Sequence, residues 1–140
     1  MPHTLPAFTA QDALVAIMVT VSVSDEAIRT SELIAIERQV NHLPVFADYE
    51  MDAVREVAQT VYRLMGEDDG LDTLFAMVRD ALPEKLFETA YALACDVAAA
   101  DGRLGQAELR LLEEVREEFN IDRLHAAAIE RGARARHMTL

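Results

Sequence analysis

Two pairs of carboxylates recur at one spacing. Asp101 is followed seven residues later by Glu108 in ADGRLGQAEL, residues 100–109, and Asp25 by Glu32 in SDEAIRTSEL, residues 24–33. Hard divalent cations take carboxylate and carbonyl oxygens, and a tight helix–loop–helix turn can present both. On that reading each loop is half of a cation site, with Asp101, Glu108, Asp25 and Glu32 as candidate ligands. The spacing is not the twelve-residue loop of an EF-hand, so the geometry of that motif does not carry over. A local reading also accounts for the same residues: each Asp hydrogen-bonds amides of the turn or of the next helix, and each Glu complements the N-terminus of the helix it opens.

A shift of 76 residues lays the first copy on the second: Asp25 on Asp101, Glu32 on Glu108, Leu33 on Leu109 and Glu37 on Glu113. Upstream, Ala16 falls on Ala92, and Ile17, Val21 and Ile28 fall on Leu93, Val97 and Leu104. Any two amphipathic helices share apolar spacing, so the acidic matches carry the comparison. An internal duplication leaves this kind of pattern. In each copy the Asp stands at the C-terminal end of a helix, where the macrodipole favours positive charge, and its presence there asks for a reason. The copies differ where Glu26 stands against Gly102, so a positive φ is freely available only in the second.

The elements that position these residues read as helices throughout. Apolar residues recur at three- and four-residue spacing, and no stretch alternates long enough for a strand. Leu14, Ile17 and Val21 mark a first helix from about residue 10, opened by Thr9 and Asp12 in a capping box with Asp in place of Glu. Leu33, Ile36, Val40 and Leu43 mark a second, ended before Pro44. Val54, Val57, Val61 and Leu64 give a third, opening near Asp48 and stopping at Gly66. A short fourth carries Leu71, Leu74, Phe75 and Val78. Pro83 suits the first turn of a fifth with Phe87, Tyr91, Ala94 and Ala98 as its buried stripe. Leu109, Leu112, Val115 and Phe119 give the sixth. Asp122 caps a seventh, which carries Leu124 and Ala128 and ends on Arg131, Arg134 and Arg136. The expected fold is all-α, a compact bundle of about seven helices built from two pseudo-repeated halves. It forms a single domain over residues 1–140 with a short N-terminal arm of about residues 1–9.

Composition narrows the function. Asp plus Glu number 25 against 13 Lys plus Arg, for a formal net charge of -12, so a phosphate backbone is repelled and nucleic-acid binding is not expected. Such a surface suits divalent cations, basic partners or simple solubility. The single cysteine, Cys95, can form no intramolecular disulfide, and no secretory pattern opens the chain, which points to the cytoplasm. The apolar run at 13–23 is shorter than the ~20 residues that cross a bilayer, so no membrane insertion is expected.

Cys95 reads as a small buried hydrophobe, Asp96 as a solvent-facing charge, and Glu67, Asp68 and Asp69 as a solvated turn. His3, His42, His125 and His137 show no metal-ligand spacing. No phosphate loop, nucleophile elbow or Cys–His pairing is present, and no catalytic residue is assigned.

The ADGRLGQAEL segment, its fainter partner SDEAIRTSEL and the seven-helix pattern over residues 10–135 resemble the tellurite-resistance TerB family. The resemblance implies an all-helical cytoplasmic domain of two pseudo-repeated halves. It also implies an acidic site for a divalent cation of calcium type, a role in tellurite resistance and stress response, and contact with a membrane-embedded protein partner of the TerC type. Asp101, Gly102 and Glu108 are its best-matched residues, and Asp25 and Glu32 follow from the first copy.

The expected function is therefore a non-catalytic, cytoplasmic, divalent-cation-binding adaptor associated with tellurite resistance. The alternative is a purely structural helical interaction scaffold whose acidic residues are caps and bind no metal.

Overall fold

The computed structural model describes residues 7–23, 30–100 and 105–140. Among these the chain forms seven α-helices and no strand: α1 (Ala10–Val23), α2 (Thr30–His42), α3 (Met51–Met65), α4 (Gly70–Ala81), α5 (Phe87–Ala99), α6 (Gln106–Glu118) and α7 (Arg123–Arg136). Short 3-10 turns at Pro44–Phe46 and Glu84–Leu86 precede α3 and α5.

The first helix opens as its sequence predicts. Thr9 Oγ1 accepts from the Asp12 amide and Asp12 Oδ2 accepts from the Thr9 amide, both at 3.0 Å, closing the reciprocal box. From Ala13 to Ser22 every residue of α1 is buried, so this helix is apolar all round and forms the centre of the bundle. Its polar side chains turn inward on their own backbone: Thr20 Oγ1 donates to the Ala16 carbonyl at 2.6 Å and Ser22 Oγ to that of Met18 at 3.0 Å.

The second central helix is α5, with eight of the nine residues from Ala90 to Ala98 buried, all but Ala92. α1 and α5 pack on each other; α2 lies on both, α6 lies on both, α3 and α4 cover α1, and α7 covers α5. Glu88, Tyr91 and Asp96 of α5 meet His125, Glu130 and Arg136 of α7 in that order, so α7 runs in the same direction as α5.

Several element boundaries differ from expectation. α3 starts at Met51 rather than near Asp48, because Asp48 sits at φ 64° in the left-handed region and turns the chain first. α5 begins at Phe87, since Pro83 initiates the 3-10 turn instead of the helix itself. α6 closes in a Schellman motif: Asn120 at φ 48° donates to the Glu117 carbonyl and Ile121 to that of Arg116, each at 3.1 Å. On α7 the buried face is Ala126 and Ala133, while Leu124 is 79% exposed. The spacing admits both faces, and the side with two small alanines is the one pressed on α5.

Candidate functional site

Glu32 and Glu108 are the third residues of α2 and α6, and neither has any exposed surface. Each takes the inward place that the apolar spacing gives to the leucine one residue later, Leu33 or Leu109. In α2 the inward positions are Glu32, Ile36 and Val40, and Leu33 is 44% exposed. In α6 they are Glu108, Leu111, Leu112 and Val115, and Leu109 is 47% exposed. Three- and four-residue steps fit either choice, so periodicity gives the stripe to leucine and the fold gives it to glutamate.

Magnitudes separate the two readings of these carboxylates. Complementing a helix dipole from the surface contributes ~0.3–1 kcal/mol, and needs no burial. Removing a carboxylate from water costs several kcal/mol even after relaxation. A dipole alone therefore does not account for two fully buried glutamates, and stronger positive charge or a set of donors must act on them. The α6 N-cap, Gly105, supplies no side-chain hydrogen bond of its own.

Asp25 and Asp101, with Glu26 and Gly102, lie outside the described residues. Among the described residues no group of three or more His, Cys, Asp or Glu side chains is gathered to hold a metal. The helices thus present two of the four candidate ligands, both as hard oxygen donors of the kind that calcium and magnesium take.

Asp96 departs from its expected place in solvent. It is 9% exposed, and its Oδ1 accepts from Arg136 Nη2 at 2.7 Å and from Nε at 3.1 Å, with His137 Nε2 at 3.5 Å. Its Oδ2 accepts from Gln39 Nε2 of α2 at 3.2 Å. One buried carboxylate thereby joins α2, α5 and the end of α7, which gives the basic tail a structural task. The signal for it is a lone charge inside the apolar run YALACDVAAA. The Tyr91 hydroxyl donates to Glu130 at 2.6 Å, a second α5–α7 tie that spacing does not announce.

Cys95 is buried as expected. Burial pushes its thiol up to about 12, so the nucleophilic thiolate is essentially absent at neutral pH. Glu67, Asp68 and Asp69 form the exposed turn expected of them. His125 and His137 pair with Glu88 and Asp96 rather than with each other. No described helix is long and apolar enough to cross a membrane.

The fold and its helix-start glutamates define an all-helical bundle with buried acidic positions on two outer helices. Residues 11–131 match the family model described as Tellurite resistance protein TerB, and the chain belongs to that family. Membership associates it with tellurite resistance. No curated protein and no solved structure matches the chain.

Proposed function

We propose that the chain is a non-catalytic, cytoplasmic adaptor that binds a divalent cation of calcium type through Glu32 and Glu108 together with Asp25 and Asp101. The observation that carries the reading is the complete burial of both glutamates at matching positions, 76 residues apart, each just after the segment that holds its aspartate. A cation compensates a buried carboxylate that a helix dipole cannot. Held between two helix starts, it would fix the first turns of α2 and α6 relative to one another and present a set surface to a protein partner, a membrane-embedded protein of the TerC type.

The reading includes an internal duplication, which three features support. α2 and α6 are each 13 residues long and start 76 apart. The glutamates recur at one offset. The Tyr49–Asp12 contact, at 2.7 Å, recurs at the same offset as His125–Glu88, at 3.0 Å.

The same segments carry Arg29 and Arg103, and arginine is the competing source of positive charge. Calorimetric and thermal titration of the full chain with calcium, magnesium, manganese and zinc separates the two. We expect saturable heat with calcium and a thermal midpoint that rises with its concentration, because a ligand of the folded state must stabilise it. The Asp101→Asn, Glu108→Gln double variant should lose both. No heat and no shift with any of the four ions would remove the metal and leave the scaffold reading.

A further inference from the structure

Helix α7 is attached differently from the helices beneath it. It packs chiefly on α5, and a cleft of about 440 Å³ separates it from α6. Of its 14 residues only Ala126 and Ala133 are buried, with Ile129 partly so, while Leu124 points to solvent. α1, by contrast, buries ten residues in a row.

What holds α7 in place is a row of polar ties: Glu88 with His125 at 3.0 Å, Tyr91 with Glu130 at 2.6 Å, Arg116 with Glu130 at 3.4 Å and Asp96 with Arg136 at 2.7 Å. His125, Glu130 and Arg136 are all exposed, so water replaces each bond as it breaks. Apolar burial has no such substitute in water, and α7 has little of it. The helix also carries its own ends: Asp122 accepts from the amides of Leu124 and His125, and Arg134 complements the dipole in the last turn. Neither depends on α5. The chain before α7 is fixed, since Phe119 is buried and its ring lies 4.8 Å from that of Phe87. Asn120–Asp122, opened by the left-handed Asn120, is the short link left to turn.

The structure assigns α7 the part of a detachable lid. It leaves α5 as one unit, swinging on Asn120–Asp122 while α1–α6 stay packed, and its departure uncovers Tyr91 and Cys95 of α5. With α7 docked both residues are buried and the thiol is silent. With α7 away the thiol meets water and becomes a nucleophile. The device uses neither Glu32 nor Glu108 and needs no metal.

Cys95 is the single cysteine of the chain, so one thiol reports the opening. The full chain, in EDTA, is labelled with dithiobis(nitrobenzoate) over a urea series below the unfolding transition, and amide hydrogen exchange is followed in parallel by NMR. We expect a labelling rate whose urea slope is about a fifth or less of the global unfolding slope, because the slope follows the surface exposed. Amides from Ala126 to Ala133 should share one opening, with far less protection than those of α1. Arg136→Gln should speed labelling about tenfold, the scale of a hydrogen bond to a charged group. Glu88→Gln, which loosens only a surface tie, should speed it about twofold. Val57→Ala, in the core of α3 and away from α7, should speed the exchange of α1 and leave labelling unchanged. No labelling below the transition, or labelling that shares the global slope and accelerates in Val57→Ala, means that the thiol is reached only when the whole bundle unfolds, and overturns the lid. Labelling that is flat in urea and indifferent to Arg136→Gln and Glu88→Gln means that the reagent enters through the cleft with α7 in place, and overturns it as well.

Discussion

His125 stands at the surface with Nδ1 3.0 Å from a Glu88 oxygen. That hydrogen bond, with the negative charge of Glu88 and then of Asp122, raises its pKa above 6.5. A raised pKa in the fold means that protonation favours the folded state. The contribution is complete below the unfolded value and is lost as pH rises through the folded one. An NMR titration should find His125 ionising above 6.5, and Glu88→Gln should bring it down. The residue scale is also where sequence pattern reads least well. Leu33 and Leu109 satisfy the apolar step as fully as Glu32 and Glu108 do, and only packing on the central pair decides which turns inward. Asp96 is similar: its neighbours mark it as unusual, but its partners Gln39 and Arg136 are 57 and 40 residues away.

At the scale of elements, local chemistry is legible because it acts over three or four residues. The Thr9–Asp12 box closes as expected, and Asp122 Oδ1 accepts from the Leu124 and His125 amides at 3.0 and 3.1 Å. Asp122→Ala should lower stability by about 1 kcal/mol, read from denaturant midpoints at constant slope. The start of α4 is set differently. A Cβ on Gly70 would overlap the Leu64 carbonyl, so α3 and α4 approach more closely than any other residue permits. Gly70→Ala should cost more than the cap, about 2–3 kcal/mol, because backbone has to move. An equal or smaller loss than that of Asp122→Ala would show that the α3–α4 turn relaxes freely. The starts of α3 and α5 escape sequence reading because a left-handed Asp48 and a 3-10 turn after Pro83 are choices of backbone, invisible to apolar spacing. The face of α7 escapes because alanine is as well suited to close packing as leucine is to burial.

For the whole molecule, the excess of acidic residues is a matter of long-range repulsion. Raising sodium chloride from 20 to 200 mM shortens the Debye length from tens of ångströms to below ~10 Å. The thermal midpoint at pH 7 should climb by roughly 2–4 °C as the repulsion is screened. A fall would mean that attractive pairs such as Arg136–Asp96 outweigh it. The all-helical class was legible from periodicity across nearly the full length, since it depends on many residues at once. The relation of the two loops is not carried by periodicity, because it joins segments 76 residues apart, and Asp25 and Asp101 lie outside the described residues.

α7 is pinned to α5 near both of its ends, by Glu88 with His125 and by Asp96 with Arg136. A rod fastened at two points along a parallel rod cannot pivot about either. It can only slide or travel with its support. A shift of α5 along its axis that keeps both ties is therefore carried by α7 to Arg134 and His137 at its far tip, with α7 serving as a pushrod rather than a hinge.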